Sequence, residues 1–179
     1  DRLEVNYGAF GGVPLTYTVS QLSGTTTTLN SGSSYEEINA ALVNAASVTM
    51  SASINSLNGN TSTVQFSNIE STSLTAGGNN NDLLLALGSG GTFNGGDGNN
   101  DAIYADWSAA TDSITWVNDP SATVQVNGIS VTGVERLLVA TGSGDDVIRN
   151  TVSGPSGDDI HTGAGNDTIS VAGTANVRS

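Results

Sequence analysis

Residues 162 to 169 read Thr-Gly-Ala-Gly-Asn-Asp-Thr-Ile, and degenerate copies of this phrase recur along the chain. The preceding copy begins at Ser153, with Asp158 nine residues before Asp167 and Ile160 nine before Ile169. The same acid-x-apolar step stands at Asp82/Leu84, Asp101/Ile103 and Asp146/Ile148, each after a turn rich in glycine, asparagine or serine. Gly91/Phe93 keeps the register without the acid. Self-similarity at so short a period predicts a parallel β-solenoid. One turn and one short strand cannot bury an apolar face alone and do so only by stacking on their neighbours. Side chains alternate along a strand, so Leu84, Phe93, Ile103, Ile148, Ile160 and Ile169 are expected to point inward.

The units are embedded in a longer pattern. Asp1-Arg-Leu-Glu-Val-Asn-Tyr resembles Asp101-Ala-Ile-Tyr-Ala-Asp-Trp, and Asp167-Thr-Ile-Ser-Val opens a third copy in the same phase. Phe66-Ser-Asn-Ile-Glu70 resembles Val131-Thr-Gly-Val-Glu135, each leading to a glycine turn at Gly77 or Gly142. Start-to-start spacings of 100 and 66 residues give the first unit 34 more residues than the second. We therefore expect two units, 1–100 and 101–179, with the extra stretch between Gly24 and Leu57. Ser34-Tyr-Glu-Glu37 has the form of a helix capping box. Ile38, Ala41, Leu42 and Ala45 follow at helical spacing, predicting a short helix over about 35–46. Val13, Leu15, Tyr17 and Val19 alternate as in a strand, as do Val48, Met50, Ala52 and Ile54. Asn58-Gly59 and Asn127-Gly128 predict hairpins whose two central residues take positive φ. The expected fold is all-β: a short parallel β-roll with antiparallel hairpin insertions and one small helix.

Charge narrows the function. Seventeen acids face four arginines and no lysine, a formal net charge of -13. Such a surface repels nucleic acid, whose phosphates require a basic face, and an anionic membrane surface. It suits a chain that collects hard cations, whose preferred ligands are carboxylate and carbonyl oxygens. Cysteine is absent, which removes disulfides and thiolate metal sites. No apolar run approaches the roughly 20 residues of a membrane helix. No signal peptide opens the chain at Asp1-Arg2, so either trimming or an export signal elsewhere is expected.

On these turns the chain resembles the RTX, or haemolysin-type, calcium-binding nonapeptide repeats of bacterial secreted proteins. The resemblance covers about 77–103 and 141–170 directly. It implies a β-roll in which successive repeats alternate sides, about eighteen residues making one coil. It also implies calcium held between turns stacked on the same side by Asp carboxylates and backbone carbonyls. The implied carboxylate ligands are Asp82, Asp101, Asp146, Asp158 and Asp167. Turn positions Gly77, Asn79, Asn81, Gly96, Gly98, Asn100, Thr141, Ser143, Asp145, Thr162, Ala164 and Asn166 would supply the remaining oxygens. Asp82 and Asp101 are 19 residues apart and Asp146 and Asp167 are 21 apart, so each pair is expected to share a site. Asp158 has no evident partner. Asp97, Asp145 and Asp159 are either extra ligands or simply solvated.

Other constellations are weaker. The single His161 is expected to point outward, and with no cysteine neither a usual zinc site nor a histidine-based nucleophile relay is readily built. Asn118-Asp119-Pro120 reads as a plain turn, although some RTX proteins cut themselves at an Asp-Pro bond. Trp116 on its alternating strand is expected in the core; with Trp107 and Tyr104 a sugar-stacking face is the alternative. Glu70 and Glu135 either cap the roll or bind metal where the insertions rejoin it. The resulting expectation is a non-enzymatic structural or adhesive module of a large secreted bacterial surface or matrix protein. It would be extracellular, fold on calcium and associate head-to-tail. The alternatives are an accessory region of a secreted enzyme or toxin and a calcium-dependent module for cell-surface glycans.

Overall fold

The computed structural model describes residues 1–7, 14–53, 61–152 and 154–179. Val13, Ile54, the Asn58-Gly59 turn and Ser153 lie outside the described residues, as does the side chain of Ala52. In chain order the elements are β1 (Arg2–Asn6), β2 (Thr16–Gln21), β3 (Thr26–Leu29), α1 (Tyr35–Val43), β4 (Ala45–Ser53) and β5 (Thr61–Phe66). There follow β6 (Ser71–Thr75), β7 (Leu83–Ala86), β8 (Thr92–Asn94), β9 (Ala102–Asp106), β10 (Thr115–Asn118), β11 (Val124–Val126) and β12 (Ile129–Thr132). The last are β13 (Arg136–Ala140), β14 (Val147–Asn150), β15 (Asp158–His161), β16 (Thr168–Val171) and β17 (Ala175–Arg178). Among the described residues the protein is all-β with one short helix. Among the described residues no helix is long and apolar enough to cross a membrane.

Parallel pairing dominates. One five-stranded sheet runs β17-β15-β13-β9-β7 with every pair parallel. A second runs β1-β6-β8-β12, also parallel, and is finished by the antiparallel β11. A third, β10-β14-β16, is parallel as well. Parallel neighbours need a crossover, usually a helix. Here the crossover is another strand: β8 lies between β7 and β9 in sequence but in a different sheet. The register places Leu84 opposite Ile103, Ile103 opposite Leu137 and Val139 opposite Ile160. Stacked apolar residues therefore fill one continuous core, in which Leu84, Phe93, Ile103, Ile148 and Ile160 are fully buried. Ile169 is only half-buried, since β16 is the last strand of its sheet.

The expected insertion is larger than its predicted bounds of Gly24 and Leu57. β2 and β5 belong to the same antiparallel sheet as β3 and β4, in the order β3-β2-β4-β5. Leu15, Tyr17, Val19, Val48 and Met50 point into the core as their alternation predicts. Helix α1 starts where the sequence places it. Ser34 accepts from the Glu37 amide at 3.2 Å, while Glu37 accepts from the Ser34 amide at 2.9 Å. The helix ends three residues before the predicted boundary, because Ala45 begins β4. Tyr35 of α1 stacks on Tyr104 of β9 with centroids 5.2 Å apart, and the Tyr104 hydroxyl donates to Asn39 at 3.2 Å. Every residue of β7 and β13 is buried, in contrast to the alternating pattern of β14; Leu83 of β7 donates to the Leu15 carbonyl ahead of β2, and Arg136 of β13 reaches the carbonyls of Ser31 and Ser33 ahead of α1.

Two other expectations have direct counterparts. Asn127 and Gly128 take φ of 40° and 83° between antiparallel β11 and β12. The resemblance of Asp1 to Asp101 and of Glu70 to Glu135 has a backbone form. The Asp101 carbonyl accepts the amides of Glu135 and Arg136 at 3.0 and 2.9 Å, and the Asp1 carbonyl accepts those of Glu70 and Ser71 at 3.0 and 3.2 Å. At the far ends of the same strand pairs, Trp107 donates to Ala140 at 2.8 Å and Tyr7 to Thr75 at 2.7 Å. β9 pairs with β7 on one side and β13 on the other, so one sheet runs across residue 100.

Candidate metal centre

Asp82, Asp101, Asp146 and Asp167 each stand one residue before a strand. Parallel register sets Leu83 opposite Ala102 and Val147 opposite Thr168, so the preceding acids lie one above another. Each carboxylate reaches the amide of the rung above. Asp101 Oδ1 accepts from Asp82 N at 2.7 Å, and Asp167 Oδ1 accepts from Asp146 N at 2.9 Å. The expected pairs are thus brought together. Each ladder extends one rung further than the sequence indicates: Asp82 Oδ1 accepts from Leu15 N, and Asp146 Oδ1 from Ile114 N at 2.7 Å. Glu135 takes the rung beyond Asp101, its Oε2 accepting from Asp101 N at 3.0 Å. Glu135 is buried, whereas its sequence counterpart Glu70 is exposed.

Burial leaves the second oxygen of these groups stranded. Asp82, Asp101, Asp146 and Asp158 are at most 3% exposed, and the Oδ2 atom of each has no hydrogen-bond partner among the described residues. A buried unpaired acceptor costs about 1–3 kcal/mol, and more when charged. Loss of hydration raises the Asp82 carboxyl to about 6. It raises the Asp101 carboxyl to about 8, with the charges of Asp82 and Glu135 adding to the effect. Burial also raises Glu135. Stacked buried acids of this kind suit a cation, which would satisfy the stranded oxygens and favour the ionised form.

Asp158 is placed differently. It is the first residue of β15, and its Oδ1 accepts from Leu137 N at 2.8 Å and Asn150 Nδ2 at 2.9 Å. Burial raises its pKa, opposed by these hydrogen bonds and by the neighbouring Arg136. The partner that sequence spacing could not supply is therefore an asparagine from the end of β14.

The turns stack as the pairing requires. Asp97 N donates to the Gly78 carbonyl at 3.2 Å, and Ala164 N to the Gly142 carbonyl at 3.1 Å. Gly77, Asn79 and Asn81 thus lie in the turn against Gly96, Gly98 and Asn100, and Thr141, Ser143 and Asp145 in the turn against Thr162, Ala164 and Asn166. A Cβ on Gly98 would fall 2.0 Å from the Asn80 carbonyl oxygen and 2.5 Å from Asp101 Oδ2, so no side chain fits beside the stranded oxygen. Some expected oxygens are already engaged. The Gly77 carbonyl accepts from Asn80 Nδ2 at 3.2 Å, and Thr162 O from Thr141 Oγ1 at 3.3 Å. Asp145 Oδ1 accepts from Asn166 N at 2.8 Å, and the Asn100 side chain pairs with Ser156.

Trp116 lies in the core as expected, whereas the sugar-stacking alternative, a solvated Asp159 and an outward His161 need correction. Trp116 is fully buried and Trp107 nearly so, their rings 5.7 Å apart, so the two indoles form core rather than a face open to sugar. Asp159 is buried, and His161 does not point freely outward: its ring packs on Tyr35 at 4.6 Å and its Nε2 lies 3.1 Å from Asp159 Oδ1. Glu36 completes a cluster whose three ligand atoms lie within 4.8 Å of one another. Residues i and i+2 share a strand face, so Asp159 and His161 were readable as neighbours; Glu36, from the inserted helix, was not. Asp119-Pro120 forms the plain turn: Asp119 Oδ1 accepts from Ser121 N at 3.0 Å and Ser121 Oγ at 2.7 Å. Comparison of the chain finds no matching protein-family model, no matching curated protein and no matching solved structure.

Proposed function

We propose that the chain is a calcium-binding structural module of a large secreted bacterial surface or matrix protein. In this reading the parallel strands are the coils of a short β-roll of the RTX kind. It folds on extracellular calcium, associates head-to-tail with further modules and carries no catalytic activity. One observation carries the reading: four buried aspartates spend one oxygen on a backbone amide and leave the other unpaired. All the candidate donors there are oxygens, the set calcium prefers over zinc, and calcium needs roughly 6–8 of them. Aspartates alone are too few, so turn carbonyls of residues such as Asn79, Gly98, Ser143 and Ala164 complete the shell. The weak affinity typical of extracellular calcium modules leaves the chain unfolded inside a cell and folded outside. Glycan recognition loses support because Trp107 and Trp116 are buried.

Titration of the purified chain with calcium, followed by far-UV circular dichroism and light scattering, tests this reading. The expected result is β signal that grows with calcium and not with magnesium, together with a rise in mass. An equally folded chain in chelator overturns calcium-coupled folding. Monomers at saturating calcium remove the head-to-tail part alone.

A further inference from the structure

The cluster of Glu36, Asp159 and His161 lies apart from the aspartate ladder and differs from it chemically. Its His161 Nε2 stands 3.1 Å from Asp159 Oδ1 and 3.5 Å from Glu36 Oε1. Ligands about 2.0–2.2 Å from a tetrahedral zinc ion stand roughly 3.3–3.6 Å from each other. Both separations therefore approximate edges of such a tetrahedron before any ion draws the groups in. Outer partners already orient the set, as metal sites require. Asp159 is buried, with Oδ2 accepting from Tyr35 N at 2.9 Å and Oδ1 accepting from Asn176 Nδ2 at 3.1 Å. The Tyr35 ring fixes the imidazole plane from one side. Glu36 Oε1 is enclosed between the imidazole of His161 and the guanidinium of Arg178, which pairs with it.

We propose that Glu36, Asp159 and His161 form a site for a zinc-class divalent ion, distinct from the calcium ladder, that staples the inserted helix α1 to β15. An imidazole nitrogen with two carboxylates suits zinc or cobalt and leaves a fourth position for water. Calcium, which wants more ligands and all of them oxygen, is excluded. The residues come from sequence positions more than 120 apart, so the ion ties together two parts of the fold that are remote in the chain. Arg178 of β17 pairs with Glu36 from a half-exposed position. It serves as the resident counter-cation, and the entering ion displaces it from Glu36.

The test is a zinc titration at saturating calcium, by competition with a chromogenic chelator, with cobalt(II) uptake read by the visible absorption of its tetrahedral complexes. The expected result is one zinc per chain, loss of both signals in His161→Gln and weaker binding in Glu36→Gln. Arg178→Ala should bind about two- to fivefold tighter, the worth of the exposed ion pair it removes. Calcium-induced circular dichroism reports folding of each variant separately, so the zinc result stands or falls independently of the calcium reading. If His161→Gln does not fold, Glu36→Gln and Arg178→Ala, at more exposed positions, carry the comparison. Zinc uptake that is absent, or unchanged in these variants, overturns the site.

Discussion

Each ladder aspartate gives one oxygen to the amide of the neighbouring rung, and in Asp82, Asp101 and Asp146 the other oxygen, buried without a partner among the described residues, is the one the proposed cation would take. Asp101→Asn separates these roles, because the amide oxygen still accepts the Asp82 amide while the charge is lost. The expected variant folds with less calcium and shows a weaker calcium response, measured by the calcium midpoint of its circular dichroism signal. The raised acids also set a pH dependence. In the metal-free chain Asp82 and Asp101 hold protons up to about 6 and about 8, whereas unfolded they release them near 4. The folded state then binds more protons across that window, so these groups' contribution is full below about pH 4 and is lost as pH rises through their folded values. At subsaturating calcium the melting temperature, followed by circular dichroism, should fall between pH 5 and 8. Saturating calcium, which binds the ionised form, should flatten or reverse the trend.

At the scale of elements, α1 and the antiparallel sheet are held to the parallel strands by a few polar anchors. Arg136 opens β13 and is buried. Its Nη1 donates to the carbonyls of Ser31 and Ser33 at 2.6 and 2.7 Å, and its Nε to that of Gly157. Arg136→Met strands those carbonyls and leaves Asp158 and Asp159 without their cation. A cost of about 3–5 kcal/mol is expected, lowering the melting temperature by roughly 10 °C, with protease cleavage appearing first in 16–66. Ser34→Ala removes half of the capping box and should cost about 1 kcal/mol, or roughly 3 °C by calorimetry. That helix was legible because its cap and apolar spacing are local. The reach of the insertion back to Thr16 was not, since β2 and β5, which flank β4 as its two antiparallel partners, lie about 45 residues apart and share no sequence mark.

For the whole molecule, the repeat phase was the most informative sequence signal. It predicted which aspartates neighbour each other and which apolar residues fill the core, because in stacked parallel strands sequence period and spatial period coincide. The rungs at Leu15 and Ile114 escaped it because they contribute only an amide, which every residue has. Glu135 stood out by its resemblance to Glu70, but only burial separated the two. The zinc-class cluster depended on a contact between elements that no period relates.

The five-stranded sheet has a mechanical consequence. A pull from β7 toward β17 passes through its seams in series, so added strands lengthen the sheet without strengthening it, and its weakest seam sets the yield. By backbone pairing that seam is β13 to β15, which only Leu138, Val139 and Ala140 join to the facing strand. Yet there Asp158 takes the Leu137 amide and the Arg136 guanidinium grips Gly157. The thinnest join has been sutured with side chains, so the count of paired residues does not by itself mark the seam that yields first.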